Sequence, residues 1–316
     1  MATPETGPDP AGFWHGALVY DGDAEFVASV GEFLQDGLDA DEPMLVVVGA
    51  AKVGWLRDHL GSASAAIRFE DMGEIGANPG RIIGYWHDFV DAHAGTGPLR
   101  GVGEPVFPSR SSAELAECNH HEALLNTAFD GGAPWRLLCP YDRSALPPEV
   151  LDDAARNHPY LLNDGAYAES GEYRESRITA MIDEPLPEPA SILLELDIGL
   201  HTLGRARSAV AALADRAGLE PRRAADFVLA VNELASNSIL HGGGGGTLRC
   251  WQDEGSLVCE VSDAGHIADP LVGRARPRVD QAGGRGVWIV HQLCDLVQLR
   301  TSATGTVVRV HAHRLP

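Results

Sequence analysis

Lysine is almost absent from this sequence of 316 residues, because Lys52 is the only one. A P-loop needs a lysine directly after its glycine-rich segment, and eukaryotic-type protein kinases need a strand lysine after a glycine-rich loop. The nearest match to a P-loop, residues 49–55, holds its lysine at the wrong position, and no glycine-rich loop precedes Lys52. The sequence therefore excludes both of these classes of ATP-dependent enzyme.

Positive charge is also scarce, since the formal net charge is −21 at pH 7. A protein that binds nucleic acid directly needs a basic face for the phosphates, and an acidic surface is repelled by an anionic membrane. We therefore expect partners that are proteins or small molecules, with no direct contact to nucleic acid or membrane.

Long apolar runs and close cysteine pairs are missing as well. The longest apolar run, residues 44–51, is far shorter than the roughly 18 residues of a membrane-spanning helix. Residues 1–12 lack the basic and apolar regions of a signal peptide. The five cysteines include no C-x-x-C pair, so reduced thiols are favoured over a disulfide framework. These absences predict a cytoplasmic protein.

Strands and amphipathic helices alternate through residues 13–160, which predicts a first domain of the α/β class with a mainly parallel sheet. The predicted strands are residues 17–20, 44–48, 66–70, 99–103 and 136–141, and the predicted helices are residues 24–38, 52–60, 79–93, 112–129 and 148–157. Residues 161–190 lack apolar periodicity and end in DEPLPEP. They are therefore predicted to form a stiff linker.

Residues 191–316 follow a different order and predict a second domain of the α+β class, with helices on one face of a mixed sheet. The predicted strands are residues 192–198, 248–251, 257–262, 297–301 and 307–311, and the predicted helices are residues 203–217, 222–241 and 286–294.

A line of polar residues runs along the helix predicted at residues 222–241. Glu233, Asn237 and His241 follow one another at intervals of four, away from the apolar stripe of the same helix. An asparagine oxygen can coordinate Mg²⁺, and a glutamate four residues earlier can orient or deprotonate a nucleophile. Taken alone, the line is also explained by a solvated helix face.

Three short motifs follow this helix. Asp263 ends a predicted strand beside Gly265, where a carboxylate can accept a hydrogen bond from the amino group of adenine and a glycine permits close approach of the backbone. Gly284 and Gly286 open the last predicted helix, where glycines present free N–H groups to phosphate. Thr306 follows a glycine at the tip of the last predicted hairpin. Each motif is weak by itself, but their order is specific.

In this order, the stretches VNELASNSILHG, SDAG, GGRGVWIVHQLCD and GTVVRVH resemble the GHKL ATPase superfamily, and most closely its anti-sigma factor serine kinases. The resemblance covers residues 195–313 and implies a Bergerat-type ATP-binding fold. It implies Glu233 as general base, Asn237 as Mg²⁺ ligand and Asp263 as adenine partner. The other residues expected to bind the nucleotide are His241, Gly265, Gly284, Arg285, Gly286 and Thr306.

One motif departs from the family pattern. The usual Asp-x-Gly-x-Gly lacks its second glycine, because Ile267 stands in that place. This bulkier residue is expected to narrow the site or to weaken ATP binding. A non-catalytic anti-sigma binding module, with a degenerate or purely structural nucleotide site, is therefore the alternative.

Several stretches of the first domain resemble the MEDS sensory domain, which precedes anti-sigma kinase modules in a family of bacterial regulators. They are GFWHGALVYDGDAEF, DMGEIGANPGRIIGYW, RGVGEP, ECNHHEALLN and WRLLCPYD, within residues 13–158. The resemblance implies a RecA-like α/β core without a working P-loop. It also implies that this domain senses a small molecule of unknown identity.

Candidate ligand-binding residues of the first domain lie at or near the predicted strands and on one helix face. They are His15, Glu104, Cys118, Glu122, Cys139 and Tyr141. On the apolar stripe of its helix, Glu122 either bonds buried backbone or meets a ligand. A zinc site at residues 118–121 and Cys139 is disfavoured, because the helical side chains point in different directions. Redox-sensitive thiols at the two cysteines are another alternative.

Together, the two resemblances imply a partner-switching regulator of transcription. We expect it to bind a sigma factor and to phosphorylate an anti-anti-sigma protein of the STAS type on serine or threonine, using ATP and Mg²⁺. A signal at the first domain is expected to gate this activity, and the resemblance implies a homodimer formed through the ATP domain. Histidine autophosphorylation is disfavoured, because the proline-broken linker is too short for a dimerising helix pair.

Overall fold

The computed structural model of the chain describes residues 12–163, 166–175, 181–253, 255–277 and 284–314. The chain divides into two units, Met1–Arg177 and Ile178–Pro316, and each has its own sheet. Within the described ranges, no helix combines the length and the apolar character needed to span a bilayer.

The first unit is built on a sheet of seven strands. The strands are β1 (Phe13–Tyr20), β2 (Met44–Val48), β3 (Ile67–Asp71), β4 (Leu99–Gly103), β5 (Trp135–Asp142), β6 (Tyr160–Asn163) and β7 (Ala166–Glu169). The helices are α1 (Gly22–Asp39), α2 (Ala50–Leu60), α3 (Met72–Ile75), α4 (Ile82–Ala92), α5 (Ser112–Ala128) and α6 (Pro148–Asn157).

The strand order of this sheet is β3-β2-β4-β5-β1-β6-β7, and every neighbouring pair is parallel except β6 and β7. β2 is buried along its whole length, as expected for a parallel strand that is covered on both faces. The mainly parallel α/β sheet predicted from the sequence is therefore confirmed, while a RecA-like core stays a prediction.

Helix α5, which carries several candidate residues, begins at a capping box. The Ser111 hydroxyl accepts the N–H of Glu114, and the Glu114 carboxylate accepts the N–H of Ser111. Cys118 and Glu122 lie on the buried face of this helix. The capping box thus sets the start of α5, and the burial of this face fixes its orientation.

Two segments differ from the prediction. Residues 161–163 and 166–169, predicted as linker, belong to β6 and β7, where β6 pairs with β1 and Leu162 is buried. Such short strands contain too few apolar residues to show a period. The helix predicted at residues 79–93 begins as a 3₁₀ turn, Pro79–Arg81, which Asn78 caps before α4 starts.

The second unit contains β8 (Leu194–Ile198), β9 (Gly246–Asp253), β10 (Ser256–Asp263), β11 (Leu296–Ser302) and β12 (Gly305–His313). Its helices are α7 (Leu203–Arg216), α8 (Pro221–His241) and α9 (Arg285–Leu293). The strand order is β11-β12-β10-β9-β8, and all of these pairs are antiparallel. The α+β class is confirmed, whereas the predicted mixed sheet is wrong, because strand direction cannot be read from apolar periodicity.

Helices α7, α8 and α9 pack against one face of this sheet. Alternate residues of the strands form one buried core with these helices, including Leu248 and Cys250 of β9 and Leu257, Cys259 and Val261 of β10. The second unit therefore has a helical layer on one side of its sheet, as the sequence predicts.

The longest helix, α8, is oriented by its apolar stripe. Phe227, Val231 and Leu234 are buried in this core. Because the stripe faces the sheet, Glu233 and Asn237 lie half-buried at the edge of the core. The polar line of α8 is therefore placed where a ligand can reach it.

Candidate functional site

A cavity of about 300 Å³ opens beside α8 in the second unit. Its walls come from α8, the end of β10 with the following loop, the first turn of α9, and β12. Glu233, the predicted general base, lines it, as do all residues predicted to bind the nucleotide: Asn237, His241, Asp263, Gly265, Gly284, Arg285, Gly286 and Thr306. Motifs that are far apart in the sequence therefore meet around one cavity of ligand-binding size.

The Asp263 carboxylate is held in place at the cavity wall by two hydrogen bonds. The Ser238 hydroxyl donates to Oδ2 over 2.5 Å, and the backbone N–H of Gly265 donates to Oδ1 over 2.8 Å. The backbone of Gly242 lies against the same group, since a Cβ atom there would stand 2.3 Å from Cγ of Asp263. The carboxylate is thus oriented before any ligand binds, as a selective hydrogen-bond acceptor requires.

Ser238 is a site residue that the sequence analysis missed. It follows Asn237 on α8, is buried at 1% exposure, and faces the end of β10. Its only sequence signal is a hydroxyl on the buried side of an amphipathic helix, where a hydroxyl needs a partner. Asp263 supplies that partner.

The first turn of α9 approaches the polar line of α8 closely at Gly286. A Cβ atom at Gly286 would stand 3.2 Å from Nδ2 of Asn237 and 3.3 Å from Oε2 of Glu233. Gly284 precedes the helix in the left-handed conformation, with φ of 75°, and as a glycine it has no side chain to cap the first N–H groups. These amides and the positive end of the helix dipole favour an anion at this position.

Hydroxyl groups anchor the loop after Asp263 to the closing hairpin. Thr306 donates a hydrogen bond to the Gly265 carbonyl over 2.9 Å, and the Thr301 hydroxyl accepts the N–H of Ile267 over 3.1 Å. Ile267, which stands where the Asp-x-Gly-x-Gly pattern has its second glycine, is half-buried and lines the cavity. Its side chain therefore occupies part of the wall that a glycine leaves open.

The glycine run at residues 242–246 serves close packing as well as turning. A Cβ atom would stand 2.3 Å from the Ile198 carbonyl oxygen at Gly245, and 2.3 Å from the Ser262 carbonyl oxygen at Gly246. Gly243 and Gly244 have φ of 91° and 99°, which favours glycine. The chain can therefore pass from α8 to β9 beside Asp263 only because side chains are missing here.

In the first unit, the structure brings His15, Glu122 and Cys139 together with His158. Each offers one ligand atom, these atoms lie within 4.8 Å of one another, and all four side chains are buried. Nε2 of His15 lies 3.1 Å from Oε2 of Glu122, and Nε2 of His158 lies 3.2 Å from the same oxygen. Three of the predicted sensory residues therefore form one cluster, and Glu122 meets side chains in place of backbone.

Burial dominates the electrostatics of this cluster. Burial, followed by the nearby His158, lowers the pKa of His15 to about 4. Burial also raises the pKa of the Cys139 thiol well above its usual value.

The other sensory candidates have different surroundings. Glu104 pairs with the Lys52 ammonium group and accepts a hydrogen bond from the Tyr20 hydroxyl over 3.0 Å. Cys118 donates to a backbone carbonyl over 3.2 Å, and burial raises its pKa to about 12. Because a reactive cysteine needs its thiolate form, the structure does not favour redox-sensitive thiols. Tyr141 packs its ring edge against His158, at 5.7 Å between centroids.

His158 was missed by the sequence analysis. It caps the C-terminus of α6 and donates from Nδ1 to the Ala154 carbonyl over 2.8 Å. A histidine at a helix end before a proline is an ordinary pattern, so no local signal marks it. Only the sheet order brings it next to β1.

Comparison with known proteins identifies two domains. Residues 14–159 match the family model described as MEDS, MEthanogen/methylotroph, DcmR Sensory domain. Residues 199–312 match the model described as histidine kinase-like ATPase domain. No match was found among curated proteins.

Among solved structures, the chain is similar to the crystal structure of the RsbU and RsbW domains of a Mycobacterium tuberculosis protein. The identity is 18%, the TM-score is 0.30, and the match covers 40% of this chain. It spans 33% of the length of that chain.

Proposed function

Because this chain joins a MEDS sensory domain to a histidine kinase-like ATPase domain, we propose that it is a signalling regulator that phosphorylates a protein partner on serine or threonine. The ATPase domain uses ATP and Mg²⁺, and a signal at the MEDS domain gates it. The observation that carries this proposal is the convergence of four separate motifs on one cavity, with Glu233 and Asn237 beside the start of α9.

The residues around the cavity suit a nucleotide. The fixed carboxylate of Asp263 suits the amino group of adenine as an acceptor, and the N-terminal amides of α9, which follow the cap residue Gly284, suit the phosphates of the nucleotide. The side-chain oxygen of Asn237 would hold Mg²⁺, which prefers oxygen ligands. When bound, ATP supplies the phosphoryl group and Mg²⁺ neutralises part of its charge.

The chain's own contribution to transfer is proton removal and charge stabilisation. Glu233 takes the proton of the partner's hydroxyl at its carboxylate, because it lies half-buried beside Gly286 and Asn237. The first amides of α9 stabilise negative charge that develops at the reacting group. Gly286 permits this closeness, since any side chain there would press against both Glu233 and Asn237.

The identity of the partners is proposed from sequence. The motif stretches of the second domain resemble anti-sigma serine kinases, which supports a STAS-type anti-anti-sigma protein as phosphate acceptor and a sigma factor as binding partner. The net charge of −21 supports regulation through proteins and not through direct contact with DNA.

A second candidate function is a module that sequesters partners without catalysis. Ile267 favours it, because this residue takes up space on the cavity wall where the family has a glycine. In that case the nucleotide site is structural or degenerate.

Phosphate transfer from radiolabelled ATP to the STAS-domain proteins of the same organism tests the proposal. Glu233→Gln is expected to bind ATP within about twofold of the wild type, yet to lose at least about 100-fold in transfer rate. Glu195→Gln, on the exposed surface of β8, serves as the matched control. Wild-type transfer that Glu233→Gln does not reduce contradicts the proposed base, and ATP binding without transfer to any STAS protein supports the non-catalytic module.

A further inference from the structure

We propose that the MEDS domain of this chain holds a metal ion, zinc or a chemically similar divalent ion, bound by His15, Glu122, Cys139 and His158. The four residues come from β1, α5, β5 and the C-terminal end of α6. This site lies in the first unit and does not depend on the function proposed for the second.

The spacing of the ligand atoms suits four-coordinate binding. The two histidine Nε2 atoms lie 3.1 and 3.2 Å from Oε2 of Glu122, and Nε2 of His15 lies 3.4 Å from Sγ of Cys139. With tetrahedral bonds of about 2.0–2.3 Å, such edges measure about 3.3 Å between nitrogen and oxygen and about 3.6 Å between nitrogen and sulfur. These three distances lie within a few tenths of an ångström of the zinc values, and all four ligand atoms lie within 4.8 Å of one another.

The sheet places these residues on one face. His15 and Ala17 alternate along β1, and Ala17 pairs with Cys139 on the parallel neighbour β5. The side chains of His15 and Cys139 therefore project to the same side of the sheet, where α5 brings Glu122. Each ligand stands on a different element, so the site is held by the fold and not by one loop.

Hydrogen bonds outside the cluster orient both imidazole rings. Nδ1 of His158 donates to the Ala154 carbonyl over 2.8 Å. Nδ1 of His15 donates to Oδ1 of Asn126 over 3.1 Å, and the Asn126 amide group donates to the Asn157 carbonyl over 2.8 Å, which fixes which end faces the ring. Because Nδ1 is the donor in each ring, Nε2 is the atom that each ring presents to the cluster. Metal-binding histidines are oriented in the same way.

Without a cation, this arrangement is electrostatically unfavourable. Two nitrogen lone pairs converge on one carboxylate oxygen, and Oε1 of Glu122 has no hydrogen-bond partner among the described residues. Within the described residues, Glu122 forms ion-pair contacts only with His15 and His158. A buried carboxylate needs a compensating partner, and a divalent ion supplies one to the carboxylate and both nitrogens at once.

The donor set selects the kind of metal. Sulfur and imidazole ligands suit zinc and related transition metals, whereas magnesium and calcium prefer oxygen ligands alone. A thiolate at Cys139 and a carboxylate at Glu122 together neutralise a divalent charge, which makes binding in a buried site favourable. Binding releases the thiol proton of Cys139 to solvent.

Zinc content and cobalt spectroscopy of the full-length protein test this site. After removal of metal with a chelator, one zinc ion per chain is expected to rebind, and cobalt is expected to give a thiolate charge-transfer band with the visible bands of tetrahedral coordination. Cys139→Ser should abolish the charge-transfer band, and Glu122→Gln should weaken zinc binding by at least tenfold. Cys118→Ser is the matched control, because Cys118 is equally buried but bonds a backbone carbonyl.

Circular dichroism shows whether each variant folds. If Cys139→Ser does not fold, Glu122→Gln still tests the site, because glutamine has the size and shape of glutamate. Failure of the wild-type protein to bind zinc or cobalt in stoichiometric amounts would overturn the proposal. A thiolate charge-transfer band that persists in Cys139→Ser, or that disappears in Cys118→Ser alone, would overturn it as well.

Discussion

Replacing Ser238 with alanine tests whether the carboxylate of Asp263 must be held in place for nucleotide binding. Ser238 is buried, and its hydroxyl donates to Oδ2 of Asp263 over 2.5 Å. The substitution removes this bond without adding volume, and the N–H of Gly265 still holds Oδ1. The carboxylate then keeps one of its two anchors and can rotate away from its binding position.

The size of the effect follows from the bond that is lost. A hydrogen bond to a charged group contributes about 1.5–3 kcal/mol. Asp263 is only half-buried and keeps its second anchor, so about 1 kcal/mol should be lost from ATP binding. This loss corresponds to a Kd that rises about fivefold.

Calorimetric titration with ATP and Mg²⁺ measures this change directly. Ser236→Ala is a matched control on the same helix, because the Ser236 hydroxyl bonds the carbonyl of Asn232 within α8. It should leave the Kd within about twofold of the wild type. Equal Kd values for Ser238→Ala and the wild type would refute the positioning of Asp263 by Ser238.

Three further changes probe other parts of the molecule. Gly242→Ala should abolish ATP binding in calorimetry, because the new Cβ atom would stand 2.3 Å from Cγ of Asp263; retained binding would show that the carboxylate can move freely. Ile267→Gly should tighten ATP binding several-fold by widening the cavity, and an unchanged or higher Kd would show that Ile267 does not narrow it. Lys52→Met should lower the free energy of unfolding of the first unit by about 2–3 kcal/mol near pH 7, since it leaves Glu104 buried without its cation. Burial already raises the pKa of Glu104, so the loss should shrink as the pH is lowered and Glu104 is protonated; a loss in urea unfolding that does not change on acidification would contradict this reasoning.

The residues that line the cavity beside α8 could be predicted from sequence because each motif has a local structural cause. The polar line of α8 follows from helical periodicity, Asp263 from the end of a strand, and Gly284 with Gly286 from the start of a helix. The fixed order of these motifs then pointed to one family. Their meeting around one cavity is a through-space result that the sequence could only suggest.

Residues whose role depends on distant neighbours were harder to predict. Ser238 acts on a carboxylate that is 25 residues away in sequence, and His158 joins a cluster whose members come from distant parts of the chain. Neither carries a spacing pattern of its own. The strands β6 and β7 fall in the predicted linker for a similar reason. Their pairing, β6 with β1 and β7 with β6, makes them strands, and their composition does not indicate it.

In the first unit, the sequence predicts single residues of the buried cluster but not that they meet. His15 and Cys139 are candidates because of their positions on strands, and Glu122 because of its position on a helix face. The order of the strands in the sheet brings all three together. A zinc site was disfavoured for residues 118–121 because these side chains diverge along α5. The structure supports that argument for Cys118, which bonds backbone, and points to a different set of ligands.

Binding of ATP to the full-length protein, with and without Mg²⁺, tests the central claim most directly when wild type and Asn237→Ala are compared by calorimetry. We expect saturable binding by the wild type that Mg²⁺ strengthens, and a loss of this Mg²⁺ dependence in Asn237→Ala, because the variant lacks the oxygen ligand. If the wild type does not bind ATP, or if Asn237→Ala binds ATP–Mg²⁺ as tightly as the wild type, the cavity beside α8 is not the nucleotide site described above.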